Sequence, residues 1–382
     1  MRGFRGDSVD WPNGLFLTGT LLVALFGVPL FLLGRGLDGF QAGLFLAFFL
    51  VTGLSITVGY HRLFSHLTFK ARWPVRVFAL VFGAAAFENS VLRWAADHRQ
   101  HHKFVDHDED PYNISKGFFH AHIGWILFRN APPISFEGVK DLQQDPLVRW
   151  QHRYYIWIAL LAGFGLPALM GGLWSGWSGA LGAFLLAGVA RVVLVHHFTF
   201  FINSWSHTWG RRPYSSRCTA RDNPVLAWLT FGEGYHNFHH AFQHDYRNGV
   251  KLWQFDPAKW CIWLLTAVGL ASDLRRVPEE TILLAEVAER QRLLASKLKQ
   301  ASRPLAESIQ GVLQAKQEQL HQAAERWKQC RARYSHAVEQ RLEASRERAA
   351  EIRREYREAS RRLRAAIREW QLTTNLIQAQ LA

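Results

Sequence analysis

Long stretches without a single charge restrict this fold more than anything else in the chain. Leu15 to Gly34 reads LFLTGTLLVALFGVPLFLLG, and Gln41 to Tyr60 is a second such run that ends directly on His61. Each is about 20 residues, the length that crosses roughly 30 Å of hydrocarbon as a helix. Tyr155 to Trp174, also charge-free, and the longer Trp177 to Ile202, interrupted by Arg191, supply a second pair. Lipid offers no partners to backbone amides, so spanning segments of this length must be helices. The runs predict an all-α integral membrane protein with two hairpins packed as a four-helix transmembrane bundle. Arg191, His196 and His197 in the last run must face the bundle or lie close to water, because a charged group in lipid costs about 2.5–3.5 kcal/mol. Val77 to Leu92 is apolar but broken by Glu88 and Asn89, which suits a helix at the interface or inside the protein. The first run is too long for a cleavable signal, and no small-residue cleavage site follows it.

The apolar fraction of 49% conceals a division. Up to about residue 272 the chain is dense in Leu, Phe, Trp and Gly; beyond 275 Arg, Glu, Gln and Ala dominate. This predicts a membrane domain over 1–274 and a charged helical tail over 275–382. Val277-Pro278-Glu279-Glu280 has the form of a helix start, with proline in the first turn and acids complementing the dipole. After a break at Ser302-Arg303-Pro304, Ile309, Leu313, Lys316, Leu320, Ala323, Trp327, Cys330 and Tyr334 alternate by four and three. Val338, Leu342, Ser345, Ala349, Ile352, Tyr356, Ala359 and Leu363 continue with one slip. Such a heptad seam implies a coiled-coil helix that self-associates or folds back as a hairpin.

The formal charge is +14, but Lys and Arg are not interleaved with aromatics as in a nucleic-acid module, which leaves anionic headgroups as the natural partner. Arg62, Lys70, Arg72, Arg76, Arg149, Arg153, Arg211 and Arg212 flank the runs on one side, against Arg35 on the other, so the side bearing the histidines is expected in the cytoplasm. Cys218, Cys261 and Cys330 lie far apart and support neither a disulfide framework nor a thiolate metal site.

Histidine must therefore carry the chemistry. In Asp97-His98-Arg99-Gln100-His101-His102 the three imidazoles fall at i, i+3 and i+4 on one helical face, and His236, His239 and His240 repeat the spacing behind the turn formers Gly232 and Gly234. His61 and His66 are five residues apart and share no face of a regular α-helix, so the second run is expected to end or bend there. His207 follows Asn203 by four residues, just past the last run. Nine imidazoles and an amide exceed the four ligands of one zinc ion, so two ions are implied, and an imidazole-rich site with room for another ligand suits redox-active iron. Asp97, Asp110, Glu233 and Asp245 are candidates to orient the rings.

Taken together, GYHRLFSH, DHRQHHKFVDHDEDPYN, FFINSWSHTWG and GEGYHNFHHAFQHDYRNG resemble the membrane fatty acyl desaturases of the stearoyl-CoA Δ9 type, over roughly residues 12–272. The resemblance implies a four-span bundle with a cytosolic cap holding two irons on His61, His66, His98, His101, His102, His207, His236, His239 and His240, with Asn203 acting through a bound water. It implies O₂-dependent formation of a cis double bond in a saturated acyl chain, fatty acyl-CoA or an acyl lipid. No cytochrome b5-like module is fused, so a separate electron donor is expected: a ferredoxin, a rubredoxin or a cytochrome b5-like protein. Where the animal enzymes bind the CoA headgroup, this chain has Trp94-Ala95-Ala96 and Phe128-Arg129-Asn130, with Arg129 the remaining base. A membrane di-iron hydroxylase, an acyl-phospholipid desaturase and a scaffold without activity are the competing readings.

Overall fold

Asp10 opens the first long helix: its carboxylate accepts from the Asn13 amide, and Pro12 sits where no amide proton is required. In the computed structural model, which describes residues 9–128, 135–300, 303–339 and 346–380, this helix runs from Trp11 to Arg35. Asp38 caps the next one, Gly39–Ser65, by accepting from the Gln41 amide at 2.7 Å. The third, Tyr155–Ser204, completes the set of helices long and apolar enough to cross a membrane among the described residues. The sequence predicts four runs, and the last two fall inside this one segment. It leaves helical geometry at Ser175 and Gly176, the latter at φ 62°. Across that break a Cβ on Gly171 or Gly179 would strike the other's carbonyl oxygen. Eight residues along a straight helix would separate them by about 12 Å, so the chain doubles back here.

Arg191 and His196 are buried. Arg191 donates to the carbonyl oxygens of Ala85 at 2.5 Å, Gly163 at 2.8 Å and Ala187 at 3.0 Å, which satisfies a charge held inside the protein. His196 Nε2 lies 2.7 Å from the Ala86 oxygen. Helix Trp73–Ala84 stops well short of Leu92, because Phe87 and Asn89 adopt left-handed φ values of 60° and 73°. Ser90 then caps Val91–Phe104. Lys70–Ala71 and Ala271–Ser272 pair antiparallel, and Tyr60, Leu80, Val91, Ala95 and Ile262 lie in the core between these elements.

Contacts divide the chain into Met1–Arg212 with Ser216–Arg276, and Val277–Ala382 with Pro213–Ser215. The second unit holds helices Glu279–Leu298, Arg303–Glu339 and Arg346–Gln380. The last two run antiparallel: Lys316 pairs with Glu369 at 2.9 Å, Trp327 Nε1 donates to Ser360 Oγ at 3.1 Å, and Arg333 pairs with Glu355 at 2.7 Å. Ile309, Leu313, Leu320, Trp327, Cys330, Ala359 and Leu363 of the expected seam are buried. The buried stripe continues through Ile367, Trp370, Thr374 and Ile377, which the heptad reading did not reach. Val338 and Ala349 are exposed, and Leu342 and Ser345 lie outside the described residues. The seam thus closes within one chain as a fold-back.

Candidate metal centre

Four segments deliver the histidines. Over Ser55–Ser65 the second long helix is π-helical, with the His66 amide donating to the His61 oxygen at 3.0 Å. Bonding from i to i+5 brings the chain back over itself after five residues, so the two rings stand 4.8 Å apart. The helix ends at Ser65, as the sequence reading expected, and its last eleven residues wind more widely than an α-helix. Val91–Phe104 carries His98, His101 and His102, and His207 lies in the turns after Ser204. Helix His236–Ala241 carries the last three behind Gly232, where φ is 106° and a Cβ would enter the Asp256 carboxylate.

The rings collect into two groups, His61, His66, His98, His102 and His239 in one, His101, His207, His236 and His240 in the other, with ligand atoms in each group within 4.8 Å of one another. In the first, His61 Nε2 lies 3.0 Å from that of His239, His66 Nε2 2.8 Å from that of His98, and His102 Nε2 2.9 Å from that of His239. In the second, His236 Nε2 lies 3.1 Å from that of His207 and 3.0 Å from that of His240, with His101 3.3 Å from His240. The groups adjoin, since the His102 and His240 rings stack at 4.3 Å. Outward-facing nitrogens have their own supports. His101 Nδ1 is 2.9 Å from Asp110 Oδ1, and His61 Nδ1 is 2.9 Å from Glu233 Oε2, off the line of an ideal hydrogen bond. His207 Nδ1 is 2.7 Å from Thr219 Oγ1, which donates in turn to Asp106 at 2.5 Å. A carboxylate at Nδ1 places the proton there and turns the Nε2 lone pair inward. Lone pairs at such separations repel unless a cation lies among them, so the donor set fits metal ions.

Electrostatics agree. Burial first, and neighbouring imidazoles second, hold His66, His98, His102, His236, His239 and His240 well below the usual histidine range, and His207 falls to about 3. These seven rings are neutral at physiological pH, as ligation requires. Burial would raise the Asp110 and Glu233 carboxyls, but His101 beside the first, and His61 and Arg62 beside the second, outweigh it and leave both lowered.

His61, His98 and His236 also line a cavity of about 540 Å³. Its lining is largely apolar, with Phe16, Leu17, Phe49, Phe87, Val195 and Phe198 drawn from all three long helices and the loop before Ser90. Trp94 stacks on the His98 ring at 4.8 Å and donates through Nε1 to Glu88 at 3.2 Å; Thr199 donates to the same carboxyl at 2.8 Å.

A fatty acid desaturase profile matches residues 39–263, which contain every histidine of both groups. The chain belongs to the fatty acid desaturase family. Among its relatives, the Schizosaccharomyces pombe protein named "Probable acyl-CoA desaturase" is 39% identical over 75% of this chain and 59% of its own length. Acyl-CoA desaturase 1 of Saccharomyces cerevisiae is 41% identical over 65% of this chain and 49% of its own. Stearoyl-CoA desaturase 5 of Bos taurus is 36% identical over 74% of this chain and 84% of its own. The chain thus spans about half the length of the two yeast proteins.

Within this desaturase-family framework all nine histidines predicted from the sequence fall in the two groups, and Asn203 lines the adjoining cavity. Arg129 lies outside the described residues. Two of the proposed ring-orienting acids do other work: Asp245 pairs with Arg247 at 2.7 Å, and Asp97 lines the cavity with its carboxyl pushed to about 7 by burial. Arg62, counted among the flanking bases, is buried and bonded to Glu233 at 2.9 Å and Asp256 at 3.0 Å. The Thr219 and Asp106 support for His207 was missed, and only its position between a ligand box and a turn offered a signal.

Proposed function

We propose that the protein is an O₂-dependent acyl-CoA desaturase that introduces a cis double bond, of the Δ9 type, into a saturated acyl chain. The observation that carries this reading is the meeting of two clustered imidazole groups with a largely apolar cavity large enough for a ligand. The names of the similar yeast and bovine proteins support the substrate class. Two iron ions are the cofactors: His61, His66, His98, His102 and His239 would hold one, and His101, His207, His236 and His240, with Asn203 through a water, the other. When bound, they supply the redox chemistry by which two C–H hydrogens are lost while O₂ is reduced to water with two further electrons and protons.

The chain's own residues position and exclude. Phe16, Leu17, Phe49 and Phe198 keep water from the acyl chain and limit which carbons approach the histidines. Trp94, fixed by Glu88, holds the His98 ring from behind. Burial pushes the Glu88 carboxyl to about 7, so it keeps a proton part of the time at neutral pH. The fold-back at Ser175–Gly176 supports four spans, and the exposed bases Lys70, Arg72, Arg149, Arg153 and Arg211 support a cytoplasmic histidine face. We assign residues 1–274 the chemistry and 275–382 none, with electrons arriving from a ferredoxin, rubredoxin or cytochrome b5-like donor. Expression in a host lacking monounsaturated fatty acids, with mass-spectrometric location of double bonds, tests the reading. New cis alkenes are expected, and unchanged lipids at adequate expression would refute it.

A further inference from the structure

Helix Pro257–Ala267 is apolar on two opposite faces. Inward, Ala258 and Ile262, with Cys261 and Leu265 beside them, join the core that includes Ile56, Val58 and Tyr60. Outward, Trp260, Trp263, Leu264 and, just past its end, Val268 are 47%, 62%, 57% and 61% exposed. Their spacing of i, i+3, i+4 and i+8 makes one stripe. A helix apolar all round belongs in a core or in lipid, and only one side of this helix has a core.

The stripe does not stop at the helix. Trp228 stacks on Phe255 at 4.0 Å, and Phe255 meets Trp260 edge-on at 5.5 Å. Trp253, with the Lys251 ammonium 5.8 Å from its ring, is 80% exposed. At the other end the Arg72 amide donates to the Leu270 oxygen at 2.9 Å, which brings in Trp73, 70% exposed. None of these residues belongs to the three long apolar helices. The helix packs against Ser55–Ser65, the end of the second of them, so its outer face continues a surface already suited to lipid. Tryptophan, an apolar ring system with one polar N–H, favours the boundary between headgroups and hydrocarbon, and a flanking lysine suits the same depth.

We propose that this tryptophan face is a membrane anchor: Trp228, Trp253, Trp260 and Trp263 seat in the headgroup boundary of the bilayer and tie the third histidine segment to the membrane surface. The proposal rests on reading the long apolar helices as membrane spans. The test uses the full chain, its three native cysteines replaced, in phosphatidylcholine–phosphatidylglycerol nanodiscs, with a bimane label introduced by Leu264→Cys. Leu25→Cys on the first long helix and Lys140→Cys on the exposed surface are the reference sites. A lipid nitroxide near the ester carbonyls is expected to quench the label at 264 about threefold more strongly than aqueous iodide does. Iodide quenching at 264 like that at 140, with lipid quenching intact at 25, overturns the anchor alone. If neither quencher reaches 264, a protein surface covers the face, a second copy or another chain, and the anchor is equally overturned. Loss of lipid quenching at both 25 and 264 brings down the membrane reading and the anchor with it.

Discussion

The histidine-bearing helices and the helices beyond Pro278 use the same spacings of three and four, yet they turn opposite kinds of residue inward. Val91–Phe104 buries Asp97, His98 and His101, whereas Arg303–Glu339 buries Ile309, Leu313, Leu320 and Trp327. Burying an imidazole stabilises nothing by itself; each lost contact with water must be replaced by a carboxylate, a hydroxyl or a metal. Burying Trp327 or Leu363 is favourable outright, by about 25 cal/mol for each Å² of apolar surface removed from water. The first region therefore depends on what it binds, and the second stands on its own packing.

The largest effect expected is that of His101→Ala, which removes a ring shared by the second group and the Asp110 support. Desaturation should fall by more than about 100-fold, read as double bonds formed in the complemented host. Asp110→Asn and Glu233→Gln should cost about 10- to 100-fold in turnover or iron content, measured on purified protein, while Asp245→Asn, whose partner is Arg247, should leave iron content unchanged. Equal losses in all three would erase the distinction between ring support and ordinary ion pairing. Trp327→Ala should destabilise only the second unit, by about 3–5 kcal/mol in chemical denaturation, with bound iron unaffected. Loss of iron in that variant would break the comparison. The smallest effect near neutrality concerns acid. In the metal-free protein His207 titrates near 3 when folded, against 6.5 unperturbed, so the unfolded chain takes up the proton first. Folding stability should then decline as pH drops below about 6.5 toward 3, most visibly in thermal unfolding of the histidine-bearing unit.

What the sequence disclosed and what it concealed follow one physical line. Charge-free length and the His98, His101, His102 spacing express requirements that any fold of the chain must meet, so both were legible. The π-helical winding of Ser55–Ser65 was not, because its residues would serve an ordinary α-helix equally well. Arg62 read as a flanking base since nothing local reveals that Glu233 and Asp256 fold over it. The seam faded after Leu363 because Leu372 and Leu376 point outward while Thr374 points inward.

That wide winding makes the segment before His66 a spacer gauge. Deleting one residue between Ser55 and Tyr60 would let the backbone relax to tighter coiling, in which His61 and His66 stand about 140° apart. One of the two rings would then face away from its group although every side chain involved in it survived. Length, more than composition, is what this stretch has to preserve, and an insertion or deletion there should be tolerated less well than almost any single exchange.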